Sequence, residues 1–127
     1  VYGPLTNDPY QAFWDAMVED LRGAAERPIL VAGDFNSGAR GIDSPAPTLF
    51  CSQNFARLGS CGYTDLWRQT HGEDAREYTW KGRAHPYRLD HAFGSPAVAA
   101  RVRGCSYDHS VRERGLSDHS LLSIELA

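Results

Sequence analysis

Four apolar residues in an unbroken row, Ile29-Leu30-Val31-Ala32, constrain this chain more than any other stretch. A strand with one wet face alternates apolar and polar residues; a row without alternation suits a strand covered on both faces. Just upstream, apolar side chains recur at Tyr10, Phe13, Trp14, Met17, Val18 and Leu21, then Ala24 and Ala25. That spacing predicts a helix over 8–26 with one buried stripe. Asp8 is its N-cap candidate, Pro9 fits the first turn, and Pro28 stops it. A helix with one apolar stripe beside a strand that needs cover is the logic of a layered α/β or α+β fold.

The rest of the chain extends that pattern. A second helix is expected within 48–59, ended by Gly59. Strands are expected at 78–80, 87–93, 101–107 and 121–126, with a short helix starting at Ser95-Pro96. Residues 63–68 are ambiguous. The stretches 37–47, 70–77 and 111–115 read as loops, and 37–47 as an active-site loop rather than a domain boundary, because it follows Asp34 directly. At 127 residues the chain is one domain's worth or less. It begins at Val1 rather than Met, with a strand-like Val1-Tyr2, and reads as a piece of something longer.

Composition narrows the function classes. The chain is 42% apolar and 23% charged, ordinary for a globular fold. No apolar run reaches the roughly 18 residues of a membrane span. The net charge is −3 and Lys81 is the single lysine, which argues against a sequence-independent DNA coat protein. An acidic enzyme can still take an anionic substrate when a bound metal supplies local positive charge. Cys51, Cys61 and Cys105 include no C-x-x-C, so a zinc knuckle is not indicated; they are semi-buried thiols, or Cys51 and Cys61 form a bridge.

Three polar motifs sit where apolar runs end: Gly33-Asp34-Phe35-Asn36, Arg88-Leu89-Asp90-His91 and Ser117-Asp118-His119. In an extended segment Asp34 and Asn36 face one side while Phe35 packs behind. A carboxylate can position or deprotonate water, and an amide can hold a phosphoryl oxygen. The same residues also make an ordinary strand-to-loop turn. Asp90 is unusual inside a strand; it is either half of a surface pair with Arg88 or a buried orienter for an imidazole. His91 points to the opposite face and is expected to pack. Asp118 and His119, adjacent on a tight loop, can both enter one cleft. Trp80 is a core residue or a pocket wall able to stack on a sugar or base. Trp80 and Arg88 are the candidate substrate-binding residues. His71, His85 and His109 are expected to be solvated.

In this order, Val31-Ala32-Gly33-Asp34-Phe35-Asn36, Tyr78-Thr79-Trp80, Arg88-Leu89-Asp90-His91 and Ser117-Asp118-His119 resemble the later motifs of the endonuclease/exonuclease/phosphatase family. Ser95-Pro96-Ala97 adds to a likeness with its exonuclease III and AP-endonuclease branch. The resemblance implies a four-layer α/β sandwich, two sheets flanked by helices, of which this chain is roughly the C-terminal half. It implies hydrolysis of phosphate esters by in-line attack of water, with Mg²⁺ or Mn²⁺ as cofactor and DNA as partner. Carried over, Asp34 resembles the residue that positions or activates the water, and Asn36 a ligand of the phosphate oxygens. Asp118 resembles a metal-side carboxylate. His119 resembles the imidazole that stabilises the phosphorane, oriented by Asp90, and Trp80 lines the sugar pocket.

The family's first half carries an Asn and a Glu, the Glu being the principal metal ligand, and nothing here corresponds to them. The isolated chain is therefore expected to be poorly stable and inactive, and the parent active. Two other readings remain: a phosphodiesterase or phosphatase for lipid headgroups or inositol phosphates, and a non-catalytic binding module that keeps the sheet. The cytoplasm is the favoured compartment. The sequence sets no oligomeric state.

Overall fold

A computed structural model describes residues 7–127 of the chain. The strand-like Val1-Tyr2 and the side chain of Asp8 lie outside what it describes. Helix α1 spans Asn7–Arg22, and residues 23–26 turn instead of extending it. Its stripe is buried as the spacing predicts: Tyr10, Trp14, Val18 and Leu21 pack with Phe35, Leu58, Tyr63 and Phe93. Trp14 has no exposed surface and its ring centroid lies 5.4 Å from that of Phe35.

Strand β1, Leu30–Asp34, pairs antiparallel with a later strand, Asp90–Gly94, in a register that sets Asp34 opposite Asp90. The sheet is completed by β2, Thr64–Asp65, on the other side of that later strand. The apolar row is not covered on both faces as expected. Leu30 is 42% exposed and the rest of β1 is half-buried. Among the described residues β1 is an edge strand, with a neighbour on one side only. The central strand is the one whose residues are almost all buried.

Helix α2, Gln53–Ser60, is shorter than the predicted 48–59, because Cys51 adopts φ +55° and a right-handed helix cannot run through it. The ambiguous segment 63–68 forms β2 and the start of helix α3, Leu66–His71, which runs into the stretch 70–77 expected to be loop; its N-cap Asp65 accepts from the amides of Trp67 and Arg68, each at 3.1 Å. The predicted strand 87–93 divides in two. Its start joins β4, Pro86–Tyr87, which pairs with β3, Trp80–Lys81. Its end is β5, Asp90–Gly94. Arg88 and Leu89 carry the chain from one sheet to the other. Helix α4, Pro96–Ala99, leads into β6, Val102–Asp108. The charged stretch read as a loop begins with one helical turn, α5, Ser110–Glu113. Strand β7, Leu121–Leu126, returns antiparallel along β6. The architecture is mixed α/β, with all described strand pairings antiparallel. None of the three cysteines forms a disulfide. No described helix is long and apolar enough to cross a membrane.

A buried charge network lies beneath the sheets. Asp43, in the middle of the 37–47 loop, is 1% exposed and accepts from Arg88 Nε at 2.7 Å. It also pairs with Arg68, and Arg88 pairs with Asp65. The Arg88 guanidinium sits 5.0 Å from the centre of the Trp67 ring. Burial disfavours its charge, but Asp65 and Asp43 more than offset that and raise its pKa. Gly38 lets the loop come this close: a Cβ there would lie 2.5 Å from Asp43 Cβ and 2.9 Å from the Arg88 carbonyl oxygen. This corrects the reading of Arg88. It is neither a surface partner of Asp90 nor a substrate contact, because two carboxylates and an indole enclose it. The loop is likewise anchored by its own charge rather than open along its length.

His91 packs as expected, fully buried among the rings of Phe35, Phe55 and Phe93. Its Nε2–H donates to the Ser37 carbonyl at 2.8 Å, leaving Nδ1 without a hydrogen bond. Burial, then the positive charge of Arg88, push its pKa down from 6.5 to about 4.

Asp43→Ala strips Arg88 and Arg68 of a shared partner and should destabilise the fold by about 3–5 kcal/mol in urea titrations. Because the folded state holds His91 neutral, an unfolded chain binds a proton there that the fold excludes. Stability should therefore fall as pH drops from 6.5 towards 4, by roughly 3 kcal/mol from this residue. NMR titration of the His91 ring should give a midpoint near 4; an ordinary midpoint would refute the assignment.

Candidate active site

The antiparallel register brings the last residue of β1 beside the first residue of β5, so Asp34 and Asp90 face one another at the same sheet end. Past Asp34 the chain does not stay extended. Asn36 adopts φ +50°, a conformation Asn tolerates better than most residues, and its amide donates to Asp34 Oδ1 at 2.8 Å. Both side chains reach the cleft through this Asx turn, not through strand alternation. Phe35 is fully buried behind them, and its carbonyl accepts from the Tyr10 hydroxyl.

Asp90 is held by its own backbone. Its amide and that of Leu89 donate to Thr79 Oγ1 at 3.2 and 3.0 Å. Its carbonyl accepts from the Tyr107 hydroxyl at 2.6 Å. Thr79 is itself fully buried, between the residue that carries Asp90 and the one that follows His119, whose amide (Ser120) donates to the Thr79 carbonyl at 2.8 Å.

His119 completes the group. An isolated bridge pairs it with Trp80. Its Nδ1–H donates to Asp90 Oδ2 at 2.8 Å, and Nε2 lies 3.9 Å from Asp34 Oδ2. Asp118, exposed, accepts from Trp80 Nε1 at 3.3 Å. These residues line a cleft of about 780 Å³, with Leu49, Phe50, Tyr87 and Leu89 as its apolar walls. Trp80 is half-buried and forms part of that wall beside Tyr87, ring centres 5.8 Å apart. Of the seven candidate residues, Arg88 alone stays out of the cleft.

The electrostatics divide the roles. Burial raises the Asp34 pKa, and the nearby charge of Asp90 adds to it against the Asn36 hydrogen bond. Burial works against the His119 imidazolium, but the hydrogen bond and charge of Asp90, then Asp34 and Asp118, outweigh it and raise its pKa. An imidazolium with Nδ1 committed to Asp90 presents Nε2–H to the cleft.

Asp34, Asp90 and His119 each offer a ligand atom within 4.8 Å of the others, a set that does not include the expected Asp118. With Asp118 beside them, three carboxylates share one cleft with one imidazole. Hard oxygen donors in net negative surroundings fit a divalent cation of the Mg²⁺ or Mn²⁺ kind.

Several contributors are invisible as motifs. Thr79 lies in a strand-like Tyr-Thr-Trp and reads as β-propensity. Tyr107 and Asp43 lie far from the motifs in sequence. His109, expected to be solvated, is instead bonded to Ser120 Oγ at 2.7 Å and Glu77 Oε1 at 2.6 Å. His71 is exposed but donates from Nε2 to the Cys105 carbonyl at 2.7 Å and stacks on Trp67.

Residues 1–119 match the endonuclease/exonuclease/phosphatase family, and the chain belongs to that family. It is 26% identical over 151 aligned positions to an exodeoxyribonuclease of Streptococcus pneumoniae, covering 99% of this chain and 54% of that protein. A 3′ phosphatase from Neisseria, bound to a product DNA hairpin, superposes with TM-score 0.82 and 27% identity over 93% of this chain and 53% of that one. An AP endonuclease from Archaeoglobus fulgidus shares the fold, with TM-score 0.78 and 19% identity over 98% of this chain and 57% of that one. The fold is thus that of the exonuclease III and AP-endonuclease-like nucleases, as the motifs implied. The chain spans about half the length of the relatives it matches.

Thr79→Val should leave the Leu89 and Asp90 amides without their acceptor and cost about 1–3 kcal/mol. Hydrogen exchange at the Leu89 and Asp90 amides should accelerate beyond the rest of β5. Unchanged protection there would remove Thr79 from the site's support.

Proposed function

We propose that the protein is a metal-dependent phosphodiester hydrolase acting on DNA, and that this chain supplies the C-terminal portion of its single catalytic domain. The observation that carries the reading is the 2.8 Å bond between His119 and Asp90, with Asp34 facing His119 Nε2 across the gap. An acid-oriented imidazole opposite a desolvated carboxylate is suited to an attacking water and a phosphoryl group between them. The exodeoxyribonuclease relative and the DNA-bound neighbour support nucleic acid as substrate.

In this mechanism Asp34 orients the water and accepts its proton, a task its raised pKa favours. His119 presents Nε2–H to the phosphoryl oxygens as negative charge grows on them, and Asp90 keeps the ring oriented and charged. The Asn36 side-chain amide donates to a phosphoryl oxygen. Trp80 and Tyr87 wall the adjoining sugar. Asp118, beside the Asp34 and Asp90 carboxylates in the cleft, would help to hold Mg²⁺ or Mn²⁺, which would neutralise phosphate charge and acidify water.

The test is hydrolysis of a 3′-phosphate hairpin, an abasic-site duplex and a generic phosphodiester, with Mg²⁺ or with EDTA. It is run on these 127 residues and on the same chain joined to whatever coding sequence precedes it. The longer protein should turn over in an EDTA-sensitive way and the 127 residues should not. Robust turnover by the short chain would refute its being an incomplete domain; silence of the longer protein on all three substrates would refute the function. His119→Ala and Asp34→Ala should each lower kcat by about 10²–10⁴-fold, with Asp90→Asn milder because the ring stays in place. Binding that weakens steeply with salt marks nucleic acid; a flat response marks a small phosphoester such as a lipid headgroup.

A further inference from the structure

We propose that Glu77, His109 and Ser120 form a positioning clamp that sets the His119 ring against Asp90. Its kinetic consequence rests on the phosphodiesterase reading; its geometry does not. The three residues come from three segments. Glu77 lies three residues before β3, His109 directly follows β6, and Ser120 directly precedes β7. His109 bridges the other two, with Nε2 2.6 Å from Glu77 Oε1 and Nδ1 2.7 Å from Ser120 Oγ.

A carboxylate can only accept, so Nε2 carries a proton. In the neutral ring that leaves Nδ1 to accept from the Ser120 hydroxyl. Glu77 thereby fixes which ring nitrogen faces Ser120. Ser120 is 6% exposed, and its amide donates to the Thr79 carbonyl at 2.8 Å. The residue after His119 is thus fixed at both its side chain and its amide. Both fixings lead to the short segment 77–80, which also accepts from the Asp90 amide through Thr79 and bridges His119 through Trp80. Arg112 adds a further tie, donating to the Tyr78 carbonyl at 3.1 Å. On the other side of His119 the chain is more open to solvent: Ser117 and Asp118 are exposed and Leu116 is 66% exposed, with Ser117 Oγ accepting from the His119 amide at 3.1 Å and Asp118 from Trp80 Nε1 at 3.3 Å. The buried anchorage of His119 therefore lies on the Ser120 side, where the clamp acts.

The connectivity of acid, imidazole and hydroxyl is also that of an activated serine nucleophile. Ser120 does not line the cleft and is buried, so it cannot meet a substrate. The group acts by holding, and Ser120 and His109 are positioning residues.

Four variants in the longer protein test this, with imidazole NMR of His119 and steady-state kinetics as the two readouts. Ser120→Ala removes one oxygen. His109→Gln keeps an amide near the Nε2 position, for Glu77, and His109→Asn keeps one near Nδ1, for Ser120. Ser120→Ala and His109→Gln should each lower kcat about tenfold with KM changed less than about twofold, and His109→Asn should lose less. The Ser120→Ala, His109→Gln double variant should be no worse than either single change, because both break one contact. The His119 ring resonances should shift or broaden in Ser120→Ala without added substrate. Unmoved His119 resonances, or additive losses in the double variant, would overturn the clamp. If no variant or parent hydrolyses DNA but the His119 resonances still move, the clamp stands and the function falls.

Discussion

The antiparallel pairing of β1 with β5 is the constraint on which the site depends. It sets Asp34 opposite Asp90, two carboxylates that would otherwise repel one another apart. A slip of β1 by one residue would send Asp34 to the wrong face and bring Phe35 into the cleft. Packing guards the register from behind. Phe35 is wedged between the Trp14 and Phe93 rings, and its carbonyl is bonded to Tyr10. Moving the register would open that cluster, so the aromatic core of α1 holds the acids together as well as covering the sheet.

Arg88 shows how the fold gets a strand of one sheet to begin where a strand of another ends. The chain turns between Tyr87 and Asp90, and the turn is filled by a guanidinium bound to Asp43 and Asp65. A buried ion network of this kind contributes little net stability against an apolar filling, yet removing one member is costly. What it supplies here is direction. Asp43 ties the 37–47 loop to this arginine, while Asp65 caps α3 and touches the same arginine. Loop, helix and crossover therefore converge on one point, one residue away from Leu89 and two from Asp90.

The parts legible in the sequence were those governed by short-range pattern. The stripe from Tyr10 to Leu21 specified α1, and the ordered polar motifs specified which residues share the cleft. Pattern failed where burial depended on distant segments. Ile29 to Ala32 reads as an interior strand, but exposure is decided by what lies beside it. Arg88 reads as a surface or substrate cation because nothing near it in sequence discloses Asp43, 45 residues away. His109 looked solvated in its polar stretch for the same reason: Glu77 is 32 residues distant. Asn36 lines the cleft that strand alternation predicts for it, but an Asx turn aims it there. Long-range partners of polar side chains are what a single sequence hides, and they are what orient this site.

The charge arrangement carries a final consequence for the proposed chemistry. Both buried arginines near the site, Arg68 and Arg88, are committed to Asp43 and Asp65 and do not line the cleft. Asp34, Asp90 and Asp118 do line it, so the cleft by itself repels a phosphate. His119 counters this only in its protonated form, which those same carboxylates favour. One imidazolium against three carboxylates still leaves the surface negative if all three are ionised. In the proposed chemistry a phosphodiester then approaches productively only with a cation, and the Asp34 pKa is raised in the protein alone by burial first and by the charges of Asp90 and Asp118 after it.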